Sequence, residues 1–63
     1  MDRPSHITDL HVERGSQMRT LVERDVVAGV SFEAAVDRLA AHLEIAPEAV
    51  RLGIAIANEW AVV

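Results

Sequence analysis

The stretch from Ser31 to Trp60, SFEAAVDRLAAHLEIAPEAVRLGIAIANEW, constrains the fold more than any other part of the chain. In its first half Phe32, Ala35, Val36, Leu39, Ala40 and Leu43 follow one another at spacings of 3, 1, 3, 1 and 3. That pattern lines one face of a helix and fits no strand. Ser31 stands just before the run, where its hydroxyl can accept a hydrogen bond from an amide two or three residues on, and Val30 and Ala35 can form a weak staple across the start. Glu33, Asp37, Arg38 and His42 make the wet side. The second half begins at Pro47, which suits a first helical turn because no amide partner is lost there, and Glu48 beside it complements the positive end of the helix dipole. Between the halves, Glu44-Ile45-Ala46 leaves room only for a tight corner. The spacing predicts two amphipathic helices joined at that corner.

The helix from Pro47 to Trp60 has an unusually wide apolar side. Val50, Leu52, Ile54, Ile56, Ala57, Trp60 and Ala61 cover more than half of its circumference and leave Glu48, Arg51, Asn58 and Glu59 on a narrow polar strip. A helix packed on a single neighbour needs an apolar arc of only about 100°. This helix therefore requires two partners. Gly53 inside it costs about 1 kcal/mol relative to Ala, so it reads as a place where another helix approaches closely. Leu52, Gly53, Ile56, Trp60 and Val62 are the expected oligomer or partner interface, with Trp60 either its anchor or a lid on the core.

Upstream, the segment from Ser16, SQMRTLVERDVVAG, places Met18, Leu21, Val22 and Val26 at helical spacing, with Ser16 able to cap the start and Gly29 the end. Asp25 falls between Leu21 and Val22 on the apolar side, and a carboxylate there must reach water or an Arg, since burial unpaired would cost several kcal/mol. Before Ser16, Leu10 and Val12 alternate with Asp9, His11 and Glu13 as in a short strand, while Ile7 and Leu10 also fit one helical turn. The expected organisation is an N-terminal arm over residues 1–15, loosely ordered and gaining order by pairing or docking, and a domain over residues 16–63. The fold class is all-α: a small three-helix domain with a helix-turn-helix-like pair and a short arm.

Composition bounds what such a domain can do. A chain of 63 residues without Cys lacks disulfide and thiolate-metal staples, and a domain this small is marginal alone, so regular helix packing or self-association must supply stability. A homodimer or higher homo-oligomer is expected. The net charge of −4 argues against holding nucleic acid by bulk electrostatics. All basic residues are Arg, which with the Ala and Val content resembles a GC-rich bacterial coding sequence. The start of the chain is polar and no apolar run is long enough to span a bilayer, so the expected location is cytoplasmic, with no membrane partner.

The corner Leu39-Ala40-Ala41-His42-Leu43-Glu44-Ile45-Ala46-Pro47-Glu48-Ala49-Val50 has the layout of a helix-turn-helix, in which small Ala40 lets the helices cross closely and Ile45 and Val50 plug the angle. Together with Arg14-Gly15-Ser16, the first helix ending in Ala28-Gly29-Val30-Ser31, and the small-residue last helix, this resembles the bacterial family catalogued as domain of unknown function 433. That resemblance implies an antitoxin-like autoregulator that dimerises, binds a ribonuclease toxin of the PIN class and binds operator DNA.

On that reading the recognition helix is the last one. Arg51 and Asn58 would reach the duplex DNA, and Arg38 and His42 on the preceding helix would touch its backbone. Glu48 and Glu59 flank Arg51 and would repel phosphate. The competing reading is a helical homo-oligomeric interaction or adaptor module without DNA binding, carried by the exposed apolar residues of the last helix. An enzyme is not expected. His6 and His11 are five apart with no third or fourth ligand placed to complete a zinc set, the glycines are isolated, and no cofactor is implied.

Overall fold

The computed structural model describes residues 4–60, and over them the chain forms three helices, α1 (Asp9–Val27), α2 (Phe32–Leu43) and α3 (Pro47–Trp60), with no strand among the described residues. The all-α three-helix architecture is as the periodicity predicts. Val22 of α1, Ala35, Val36, Leu39 and Ala40 of α2, and Val50 and Ile54 of α3 form one buried aliphatic core, against which Met18 and Val30 are partly packed. No polar or charged residue among those described is buried. Burial of this kind stabilises by roughly 25 cal/mol per Å² of apolar surface, and the small side chains let all three helices share one centre.

The helix ends follow local chemistry. Ser31 accepts a hydrogen bond from the Ala34 amide at 3.2 Å and so caps α2 as expected. At the end of α1, Gly29 takes a positive φ of 101°, its amide donates to the Val26 carbonyl, and the Val30 amide donates to the Asp25 carbonyl. That pair of bonds closes the last turn, and glycine adopts the left-handed backbone without steric cost. α2 ends in the same way but with Glu44 at φ 58°, the Glu44 and Ile45 amides donating to the Ala41 and Ala40 carbonyls.

The start of α1 differs from the sequence expectation. Ser16 is not its cap: the helix begins at Asp9, so residues 9–15 are helical where the arm was expected, and the strand alternative for Leu10 and Val12 does not form. The cause is a reciprocal cap. The Thr8 hydroxyl accepts from the His11 amide at 3.3 Å, and His11 Nδ1 accepts from the Thr8 amide at 3.1 Å, which satisfies two amides that a helix start otherwise leaves open.

Gly15 lies inside α1 for a packing reason. A Cβ built there would fall on the carbonyl oxygen of Gly53 and 3.2 Å from the Ala57 Cβ, so α1 and α3 cross with backbone against backbone. At Gly53 the added Cβ would meet the end of the Met18 side chain, with the Gly15 Cα at 3.7 Å. The close approach expected at Gly53 is thus made by α1 of the same chain. Both partners required by the wide apolar arc of α3 are accounted for within the fold, as α1 and α2.

Candidate interaction site

α3 carries two neighbouring apolar stripes. Val50, Gly53, Ile54 and Ala57 are buried toward the core. Ala49, Leu52, Gly53 and Ile56, again at i, i+3, i+4 and i+7, line an open groove of about 780 Å³ between α3 and α1. Leu52 lies between Val50 and Ile54 in sequence, and helical geometry turns it away from the core that they enter. It is 63% exposed. The facing wall comes from α1, where Arg14, Gln17, Met18 and Leu21 repeat the same spacing, with His11 one turn before them and His6 and Ile7 ahead of the helix. Leu43 and Ile45 extend the lining from the α2–α3 corner. Of the eight large exposed hydrophobic residues among those described, Leu21, Leu43, Ile45 and Leu52 share this one groove.

The electrostatics of the groove differ from those of the rest of the molecule. The chain carries a net charge of −4, yet among the described residues no Asp or Glu lines the groove. Arg14 does, together with His6 and His11. Arg14 has no ion-pair partner among the described residues.

The residues expected to touch nucleic acid are differently placed. Arg51 Nη2 donates to Glu33 Oε2 at 2.5 Å, and its other nitrogen lies 3.8 Å from Glu48 Oε1. The hydrogen bond to Glu33 raises the Arg51 pKa above its already high ordinary value; the fields of Glu33, Asp37 and Glu48 add to it and desolvation opposes it. The Asn58 Oδ1 accepts from Arg19 at 3.0 Å. Arg38 lies 3.9 Å from Asp25, so the carboxylate that looked misplaced on α1 reaches an Arg, as the sequence requires. His42 is exposed in the last turn of α2. Three of the four side chains are thus engaged within the fold, and they do not converge on one surface patch free of carboxylates.

The expected interface residues divide as well. Leu52 and Ile56 line the groove, and Gly53 forms its floor while being buried against α1. Trp60 is half-buried at the end of α3 and is not part of the groove lining. Val62 lies outside the described residues. What the sequence reading missed is the α1 wall, with Ile7, His11, Arg14 and Leu21 in it. The available signals were Thr8 three residues ahead of His11, and the run 7, 11, 14, 18, 21, which keeps to one helical face.

Among the described residues there is no group of three or more His, Cys, Asp or Glu able to hold a metal ion, and no helix is long and apolar enough to cross a membrane. No protein-family model, curated protein or solved structure matches the chain.

Proposed function

We propose that this protein is a small non-enzymatic regulatory module that acts by presenting the α1–α3 groove to another polypeptide. The observation that carries the reading is Leu52: a large aliphatic side chain held mostly in water, in a groove that it shares with three more of the eight described exposed large hydrophobic residues. Contiguous apolar surface on a domain this small is costly unless it is covered in the working state. An antitoxin-like role, in which the partner is a ribonuclease toxin, belongs to the same reading, because the mode of action is again the covering of an apolar face. Operator DNA has weaker support, since a phosphate would have to displace Glu33 from Arg51 beside Glu48 and Asp37.

The reading is tested by sedimentation velocity over a micromolar concentration series. Leu52→Asp is expected to weaken association by about 2 kcal/mol, or about 30-fold in Kd, with the melting temperature unchanged. Val27→Asp, at a residue 88% exposed and outside the groove, is expected to change nothing. Equal effects of the two substitutions on self-association would remove the groove from the account, as would a chain that stays monomeric and binds no helical peptide.

A further inference from the structure

We infer that the occupant of this groove is an amphipathic helix of a different chain bearing carboxylates beside its apolar stripe; the inference rests on the groove being a polypeptide-binding face. Three observations select that occupant. The walls are helices whose backbone groups are bonded internally, so an extended peptide laid on the aliphatic floor would leave its own amides and carbonyls unpaired, whereas a helix satisfies its own. The wall residues span His11 to Leu21 on α1 and Ala49 to Ile56 on α3, lengths of about 15 and 10 Å that match two to three turns and three apolar anchors. Among the described residues no buried polar group stands in the groove to orient a small molecule.

Charge then decides between a foreign helix and a second copy. Among the described residues Arg14 is the fixed cation of the lining and free of ion pairs, and no carboxylate lines the groove. Two such grooves placed face to face would offer Arg14 no carboxylate from either lining. A Glu on the flank of an entering helix would meet it in a charge-assisted hydrogen bond at the edge of an apolar floor, where screening is weaker than in open water.

The test uses the full chain and two synthetic Ala-rich helices of about 18 residues, long enough to hold helical structure, each with Leu at i, i+4 and i+7. One carries Glu beside the Leu stripe and the other carries Lys. In calorimetric titration at low salt the Glu peptide is expected to bind at least about tenfold tighter than the Lys peptide, the gap closing as salt rises. Arg14→Gln is expected to abolish the preference and Arg14→Glu to reverse it. Arg14 is exposed, so both variants should fold, and the salt dependence in the unaltered protein decides the matter independently. A Lys peptide that binds as well or better overturns the inference. If neither peptide binds but the chain self-associates in a Leu52-dependent way, the inference falls and the groove reading stands. If neither peptide binds and the chain stays monomeric, both fall.

Discussion

Gly15→Ala is expected to lower the stability of this protein by about 2 kcal/mol or more, although the same change on a solvated helix would raise it by up to about 1 kcal/mol. The sign is set by one contact. The added methyl would clash with the Gly53 carbonyl oxygen, well inside contact distance, with the Gly53 carbonyl carbon at 2.9 Å, and these are backbone atoms that cannot rotate away. The helices must therefore separate, and overpacking of this type costs typically 1–3 kcal/mol, with more where backbone is involved. A chain of this length has roughly 3–9 kcal/mol in total, so the loss is a large share of it. Gly53→Ala is expected to cost less than about 1 kcal/mol, because the atom in the way is the terminal methyl of Met18, which has other rotamers. Urea denaturation of the two variants checks this. An unchanged or raised midpoint for Gly15→Ala would mean that α1 and α3 do not cross there.

Ile54→Ala is expected to cost about 2–5 kcal/mol, whereas Leu52→Ala, two positions away on the same helix, should stay within about 0.5 kcal/mol. Ile54 is 5% exposed and belongs to the core with Val36 and Val50, so truncation leaves a cavity among side chains already in contact. Leu52 projects into the groove, and its removal from the free protein opens no cavity. Thermal and urea unfolding of both variants give the comparison directly. A result in the opposite order would rotate α3 about its axis and exchange the core stripe with the groove stripe.

These predictions also mark where the sequence was informative. α2 was legible in full, because its apolar residues keep one strict helical face and Ser31 is an unambiguous cap. The wide arc of α3 correctly required two partners, but periodicity cannot say whether a partner is another part of the chain, and both proved to be helices of this domain. The wide arc thus did not by itself demand a second molecule; only the Leu52 stripe is left over. α1 was legible from Ser16 onward and hidden before it. A Gly between polar residues reads as a boundary, and a His in the third helical position is not the Glu or Gln that usually completes a cap. Gly15 is instead a contact residue, a fact held by its distant neighbour Gly53 and by no local pattern. The groove was half visible for the same reason: its α3 wall follows from spacing, while its α1 wall depends on a helix that local signals cut short.

The polar strip, too, is organised by partners distant in sequence. Arg51 on a last helix after a tight corner invites a nucleic-acid reading, yet its strongest neighbour, Glu33, is eighteen positions away on α2. Asn58 is likewise held by Arg19 across the α1–α3 contact. Surface pairs of this kind contribute little stability, typically under about 1 kcal/mol, but they use the donors and surround them with negative charge.

The most direct test of the central claim, that the groove and not the polar strip is the working face, is NMR of the labelled chain that resolves methyl and arginine guanidinium signals. It would be recorded through a dilution series, with the Glu-bearing helical peptide, and with duplex DNA at low salt. The account predicts that the methyls of Leu21, Ile45, Leu52 and Ile56 shift with self-association or peptide, while those of Val27 and the core Val36 remain still. DNA should leave the groove methyls unmoved and the Arg51 side-chain signal bonded to Glu33. Shifts that cluster around Arg38, His42 and Arg51 on addition of DNA, with a silent groove under every other condition, would contradict it.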